Sequence, residues 1–151
     1  MAGLRSIAQR KADVLAALEK KEGSAWLATA GSDGEPRLIA VSLWWDGSRL
    51  VFATRVGNPT ARNLGASRKA RLALGSTEDV IMVDARLIDQ APASSAKPEM
   101  RQGFIDAAGW DPAEEGDDWA FFRLEPVRIE AYRGYGELEG RTVMRQSRWL
   151  A

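Results

Sequence analysis

The chain of 151 residues contains no cysteine and no histidine. Without cysteine it has no disulfide, no thiolate nucleophile and no cysteine-ligated zinc or iron–sulfur site. Without histidine it has no Ser-His-Asp triad, no imidazole acid or base, and no histidine ligand for haem or zinc. Any chemistry must therefore come from carboxylates, Lys, Arg, Tyr, Ser, Thr, backbone amides or a borrowed cofactor.

Net charge is also absent, because 21 Lys and Arg balance 21 Asp and Glu. A neutral chain lacks the general electrostatic attraction of nucleic-acid-binding proteins. No apolar run approaches the roughly 20 residues that span a bilayer, and residues 1–5 show no apolar signal core. We therefore predict a cytoplasmic protein with no nucleic-acid and no membrane partner. The length and the 45% hydrophobic content predict one globular domain over residues 1–151.

The hydrophobic pattern indicates seven strand segments, which predict about six strands with short helices between them. The predicted strands are 25–30, 37–45, 49–54, 70–74, 80–88, 119–124 and 127–133, the last two separated by Glu125-Pro126. The predicted helices are 4–22, with Arg10 on its polar side, a short one from Asn58 to Gly65, and one from Pro98 to Ala108. Residues 89–97 and 111–118 are predicted loops, and Asp46-Gly47 is a predicted two-residue turn. Strands one to three form a meander, and the whole pattern favours a small closed or nearly closed antiparallel barrel.

The segment 52–64 combines a strand end, a glycine loop and a helix start. Asn58 is a good N-cap and Pro59 suits the first helical position. The free N–H groups and the positive dipole end of such a helix attract anions. The candidate ligands here are Thr54, Arg55, Asn58, Thr60 and Arg62. They predict a cradle for one small anion such as a phosphate, the alternative being a solvated corner between helix and strand. The basic stretch 62–71 lacks the interleaved aromatics of a single-strand nucleic-acid platform.

At this stretch the sequence resembles the flavin-binding split-barrel superfamily, typified by pyridoxamine 5'-phosphate oxidase. The resemblance covers nearly the whole chain, and it depends on an ordered set of loose motifs. These are Trp26-Leu27-Ala28-Thr29, Gly34-Glu35-Pro36, Trp45-Asp46-Gly47, Phe52-Ala53-Thr54, Thr60-Ala61-Arg62-Asn63-Leu64, Gly109-Trp110-Asp111-Pro112, Glu125-Pro126-Val127-Arg128-Ile129, and the tail from Gly140 to Trp149.

The resemblance implies a mainly β (α+β) fold, namely a six-stranded antiparallel split β-barrel with short flanking helices. It also implies a homodimer with two cofactor sites at the subunit interface. The usual cofactor is FMN, and relatives bind the deazaflavin coenzyme F-420 or haem. The implied function is an FMN-binding oxidoreductase acting on an unknown small molecule. A deazaflavin-dependent reductase and a flavin-binding or storage protein without turnover are the alternatives. Because no histidine or metal-ligand motif is present, we expect no haem and no metal.

The resemblance also assigns candidate cofactor residues. Thr54 matches the strand end that holds the phosphate, and Arg62 and Asn63 match the family's R-N-L pattern. Either Arg55 or Arg62 would neutralise the phosphate. The ring-lining positions are Ala40, Val41 and Ser42. Trp44, or Trp149 of the partner subunit, is a candidate wall for the ring; alternatively, one of Trp44 and Trp45 faces the barrel core and the other the dimer interface.

Four positions depart from the family pattern. Pro59 and Thr60 stand where the family often has basic residues before the R-N-L segment. Leu38 and Leu43 stand where the authentic oxidase has a basic residue at each end of its ring-lining strand. The sequence therefore does not predict a true pyridoxamine phosphate oxidase, and it predicts a weaker hold on the phosphate.

Overall fold

The structure, a computed structural model, describes residues 3–151; Met1 and Ala2, part of the segment searched for a signal core, lie outside them. The helices in this range are α1 (Ile7–Leu18), α2 (Pro59–Ser67) and α3 (Pro98–Ala108). The strands are β1 (Ser24–Ala30), β2 (Pro36–Ser42), β3 (Trp44–Trp45), β4 (Leu50–Arg55), β5 (Lys69–Gly75), β6 (Val80–Pro92), β7 (Trp119–Tyr132), β8 (Thr142–Arg145) and β9 (Arg148–Trp149). None of the helices in this range has the length and apolar character that crossing a bilayer requires.

All strands belong to one antiparallel sheet, in the order β2-β1-β5-β6-β7-β4-β3. The first half of β7 pairs with β4, and its second half pairs with β8, which continues to β9. The two ends of the order, β2 and β3, are not paired with each other, so the sheet curls without closing. Six of the strands have six or more residues. The prediction of a mainly β split barrel with short flanking helices is confirmed.

The core fills the inside of the curled sheet. Phe52 and Phe122 lie at its centre, fully buried and stacked with ring centroids 5.3 Å apart. Trp45 packs into this core, which agrees with the expectation that one of Trp44 and Trp45 faces the barrel core. Trp44 packs instead beneath α3, where a Cβ on Gly103 would lie only 2.3 Å from the indole ring. Glycine is thus the residue that lets α3 approach this side of the sheet.

The predicted meander of strands one to three is interrupted inside its second strand: the predicted pairings of β1 with β2 and of residues 44–45 with β4 are present, but predicted strand 37–45 is split into β2 and β3. β2 ends at Ser42, and the backbone N–H of Leu43 leaves the ladder to donate to the Gly23 carbonyl at 3.0 Å. β3 therefore restarts as the partner of β4, at the far end of the strand order from β2. The β3–β4 turn also differs by one residue, since Asp46 N–H donates to Arg49 O and encloses Gly47 and Ser48.

The predicted loop 89–97 and the predicted break at Glu125-Pro126 are also wrong. β6 continues to Pro92 as the partner of β7, and an ion pair between Asp89 and Arg123 crosses the two strands. β7 runs through Pro126 because the register shifts there, Asp84 facing Arg128 and Ala85 facing Pro126. A bulge spares a proline from donating to the ladder, which lets the strand continue.

The N-terminal helix is shorter than the predicted range 4–22. Ser6 caps it, its hydroxyl accepting from the Gln9 N–H at 3.0 Å, and it ends at Leu18. Arg10, predicted on the polar side, is only 3% exposed. Its Nη1 donates to the carbonyl oxygens of Ala131, Glu137 and Gly140 at 3.0–3.2 Å. A guanidinium thus fastens α1 to the end of β7 and to the chain that follows it.

Candidate functional site

The junction between β4 and α2 is held by Asn58. Its Oδ1 accepts from the Ala61 N–H at 3.0 Å, which caps the helix, and its Nδ2 donates to Thr54 Oγ1. The predicted N-cap is therefore confirmed, and the same side chain ties the helix start to the strand end. Both functional groups of Asn58 are used inside the chain.

Asn63 has a comparable internal role one turn later. Its Nδ2 donates to the hydroxyl of Thr29, a buried residue of β1, at 3.2 Å. This hydrogen bond joins α2 to β1, which lies towards the opposite end of the strand order from β4. In a single chain, the R-N-L segment therefore uses its asparagine to position the helix.

The donors left at this end of the barrel are few. Pro59 has no N–H, whereas the N–H groups of Gly57 and Thr60 make no backbone hydrogen bond in residues 3–151. The side chains of Thr54 and Thr60 are buried. Arg62 is exposed, and its Nη1 donates to the Gly57 carbonyl at 3.1 Å, which holds the guanidinium over the loop before α2. One guanidinium beside free amides at a helix start suits one small anion.

Arg55 does not join this group. Neighbouring strand residues point to opposite faces, so Arg55 lies on the other side of β4 from Thr54. Its guanidinium lies 5.6 Å from the centre of the Trp119 ring and 3.8 Å from the Asp118 carboxylate. Arg55 therefore contacts Trp119 and Asp118, whereas Arg62 lies at the start of α2.

The three predicted ring-lining residues of β2 have different surroundings. Ala40 is exposed, Val41 is buried in the barrel core, and Ser42 is half-buried. The Ser42 hydroxyl accepts a hydrogen bond from Trp110 Nε1 at 3.0 Å. Of these three residues, Ala40 is the one whose side chain is exposed on the outer face of the sheet.

The W-D pair of the motif at 109–112 has a structural role here. Trp110 connects the loop after α3 to β2 through Ser42. Asp111 accepts from Arg101 of α3, with Nη2 and Oδ2 2.6 Å apart, and also from the Ala113 N–H at 3.0 Å. The Arg101 guanidinium lowers the pKa of the Asp111 carboxyl below its ordinary value. This loop is therefore fixed against the strand that carries Ala40.

An apolar surface that the sequence did not predict surrounds Ala40. Trp26 is directly opposite Ala40 on β1 and is 57% exposed, and Leu38, opposite Ala28, is 63% exposed. Met82 of β6 extends the same face through Ala73 of β5. We call Trp26, Leu38, Ala40 and Met82 the outer patch. The signal was available in β1, where Trp26 alternates with buried alanine and leucine.

Two cavities lie elsewhere on the chain. One, of about 330 Å³, lies between the end of α1, the β2–β3 junction and α3. The other, of about 190 Å³, lies at the start of β4 and includes Trp149 in its wall. Neither is lined by the predicted phosphate residues, and within one chain Trp149 lies apart from them. Acidic side chains in residues 3–151 form no group of three or more that would hold a metal ion.

The comparisons with known proteins agree with this architecture. An F-420 reductase structure matches with a TM-score of 0.62 at 19% identity, covering 74% of this chain and 92% of that one. General stress protein 26 from Bacillus anthracis str. Sterne matches with a TM-score of 0.57 at 14% identity, covering 80% of this chain and 92% of that one. A heme binding protein from Mycobacterium smegmatis matches with a TM-score of 0.62 at 18% identity, covering 90% and 57%.

These structural likenesses show the shared fold, and the sequence itself shows the family. No curated protein sequence matches the chain significantly. The family model for pyridoxamine 5'-phosphate oxidase, however, matches residues 12–132, from the middle of α1 to the end of β7. That range includes β4, α2 and the outer patch. The chain therefore belongs to the pyridoxamine 5'-phosphate oxidase family.

Proposed function

We propose that this protein is a homodimeric, cytoplasmic, FMN-binding oxidoreductase acting on a small molecule, with the cofactor between the subunits. The observation that carries the proposal is the start of α2, where Arg62 and the free N–H groups of Gly57 and Thr60 lie together. Bound FMN supplies hydride transfer at its ring, so the absence of histidine and cysteine costs such an enzyme little.

The residues at this end suit a phosphate held by one guanidinium. Arg62 would neutralise its charge, and the loop amides would donate to its oxygens. Asn58 and Asn63 act as positioning residues, since their hydrogen bonds to Thr54 and Thr29 fix α2 between two strands. Pro59 leaves the helix start with one donor fewer, which agrees with the expectation of a weaker phosphate hold.

The partner is proposed to cover the outer patch. A tryptophan that is 57% exposed beside a leucine that is 63% exposed is an unusual surface for a lone chain and is typical of an interface. Ala40 lies inside this patch, so a partner seated there would enclose the β2 segment proposed to line the ring. In this proposal, β2 therefore contributes both to the dimer interface and to the cofactor site.

A deazaflavin-dependent reductase is the second candidate, because an F-420 reductase shares the fold. The acidic tail of that cofactor requires a basic groove beyond the phosphate. The candidate cations for that groove are Arg68, Lys69 and Arg71, which follow α2. Arg68 donates to the carbonyls of Leu87 and Ile88, and Arg71 pairs with Asp84. With two of the three engaged inside the chain, the structure favours FMN.

The identity of the cofactor is tested by the visible spectrum of the purified protein, alone and after incubation with each cofactor followed by removal of the unbound cofactor. We expect the flavin band. The deazaflavin band instead would favour the reductase alternative, and a Soret band would support a haem relative. Protein that stays colourless with all three would contradict the proposal. Bound FMN that neither NADH nor NADPH reduces would favour a flavin-binding protein without turnover.

The role of Arg62 is tested by Arg62→Ala. Removing a charge-assisted hydrogen bond is expected to weaken FMN binding by about 1.5–3 kcal/mol. Riboflavin, which lacks the phosphate, should bind both proteins equally. Flavin fluorescence quenching measures both affinities, and Arg145→Ala, on the exposed β8–β9 hairpin, is the matched control. An unchanged FMN affinity would remove Arg62 from the site.

The interface is tested by Trp26→Glu. A carboxylate in the middle of the outer patch is expected to convert dimers into monomers and to weaken FMN binding with them. Sedimentation equilibrium measures the mass. Leu4→Glu is the control, since Leu4 is 64% exposed but lies away from the patch. A Trp26→Glu protein that remains dimeric would place the interface elsewhere.

A further inference from the structure

The outer face of β2 has one polar side chain. Side chains alternate along a strand, so the residues on this face are Pro36, Leu38, Ala40 and Ser42. Ser42 is the one with a hydrogen-bonding group, and it lies half-buried at the last position of the strand. A flavin ring placed along this face would therefore meet the Ser42 hydroxyl as the polar side chain of β2.

The Ser42 hydroxyl accepts one hydrogen bond within the chain and donates none. The donor is Trp110 Nε1, at 3.0 Å. Because an indole N–H can only donate, the hydrogen of the hydroxyl remains available. Among residues 3–151 it meets no acceptor. The hydrogen bond from Trp110 therefore fixes the oxygen and turns its hydrogen away from the indole.

Trp110 is itself held on two sides. Its ring meets the edge of Phe104 with centroids 5.5 Å apart, and that of Trp119 with centroids 5.4 Å apart. Gly109, in the left-handed region with φ of 85°, ends α3 just before it. The indole cannot rotate without losing both aromatic contacts. The direction of its N–H is thus set before any ligand arrives, as preorganised donors in binding sites require.

A preorganised hydroxyl matches what a flavin ring needs from a protein. The ring has oxygen and nitrogen acceptors, and protein hydrogen bonds to it tune its electronics. The reduced ring is richer in electrons than the oxidised ring, so a fixed donor stabilises the reduced form more. In this chain Leu38 and Leu43 replace the basic residues of the authentic oxidase, which leaves this role to a neutral donor.

We propose that Ser42 binds the flavin ring and that Trp110 is its positioning residue. The Trp110 N–H holds the Ser42 hydroxyl, and the hydroxyl donates its hydrogen to an oxygen or nitrogen of the ring. This inference rests on the proposed function, because it needs FMN along β2. It adds a determinant of the reduction potential, since a donor that favours the reduced ring raises that potential.

The role of Ser42 is tested by Ser42→Ala in the protein loaded with FMN or riboflavin. Losing one neutral hydrogen bond should weaken both oxidised ligands about fivefold. The reduced ligands should be weakened about fiftyfold. This tenfold difference lowers the potential by about 30 mV in a two-electron couple. Fluorescence quenching measures the affinities, and equilibration with a reference dye measures the potential. Ser48→Ala, on the exposed β3–β4 turn, is the matched control.

The role of Trp110 is tested by Trp110→Phe, which keeps an aromatic ring but loses the N–H. We expect a smaller fall in the potential than in Ser42→Ala. The double variant should have the potential of Ser42→Ala alone, because Trp110 acts through Ser42. Ser42→Thr keeps the hydroxyl and should restore most of the potential. A purely structural role of Trp110 would lower the melting temperature and leave the potential unchanged.

The outcomes separate this inference from the proposed function. If wild type binds FMN and Ser42→Ala changes neither affinity nor potential, the hydroxyl does not meet the ring, and the proposed function stands. Weaker FMN with unchanged riboflavin would place the hydroxyl at the phosphate and also overturn the inference. If Trp110→Phe does not fold, Ser42→Ala and Ser42→Thr decide alone. A wild-type protein that binds no FMN would overturn both proposals.

Discussion

Replacing Arg10 by methionine is expected to lower the free energy of unfolding by about 4 kcal/mol. Methionine fills much of the same volume but donates no hydrogen bond. The buried carbonyl oxygens of Ala131 and Glu137 would then lose this donor, and so would the partly buried carbonyl oxygen of Gly140. Buried acceptors left without a donor lose their hydration and receive nothing in return, which makes the loss large.

Urea unfolding followed by tryptophan fluorescence measures the effect. Arg145→Met is the control, since the same change on an exposed hairpin is expected to stay within about 0.5 kcal/mol. Arg10→Lys should restore only part of the stability, because an ammonium lacks the planar fork. A loss below about 1 kcal/mol for Arg10→Met would mean that the guanidinium does not fasten α1 to the chain after β7.

Replacing Glu137 by glutamine is expected to cost about 3 kcal/mol at neutral pH. The Glu137 side chain is buried and accepts from the Arg5 guanidinium at 2.7 Å, and from the N–H groups of Arg5 and Arg133 at 3.0 and 2.8 Å. These donors, the Arg5 side chain first, lower the pKa of Glu137 to about 2 from an ordinary 4.5, although burial opposes them.

The same pKa predicts how stability depends on pH. A carboxyl with a lowered folded pKa contributes fully above the unfolded value of 4.5, and its contribution disappears as the pH falls towards 2. The wild-type protein should therefore lose stability between pH 5 and about 2 more steeply than Glu137→Gln. Urea midpoints at several pH values measure this, with exposed Glu139→Gln as the control. Parallel curves for Glu137→Gln and wild type would contradict the assignment.

Much of the fold could be predicted from local signals. The β4 strand, the Asn58 cap, the Pro59 helix start and the end of α3 at Gly109 each follow from a few adjacent residues. The errors lie where contacts with distant parts of the chain decide whether a strand ends or continues. Leu43 breaks a strand by bonding to Gly23, and Pro126 remains in a strand because the register with Ala85 shifts. Neither partner is visible in a local pattern.

The burial of the Arg10 guanidinium was not predicted, for the same reason. Arg10 lies on the polar side of a helix pattern, and only the turn after β7 makes that side an interior one. At the candidate site, the residue types at the start of α2 were predicted. The position of Arg55 was not predicted. Arg55 follows Thr54 in sequence, but neighbouring strand residues point to opposite faces, so Arg55 faces Trp119 instead. The outer patch was missed although Trp26 alternates with buried neighbours.

The most direct test of the proposed function is a titration of FMN and riboflavin into the protein after any bound flavin has been removed. We predict one FMN per chain, bound tighter than riboflavin because the phosphate meets Arg62 and the free amides at the start of α2. The preference for FMN should fall when salt is raised. No binding of FMN, or riboflavin bound as tightly as FMN by the wild-type protein, would contradict a phosphate site at α2.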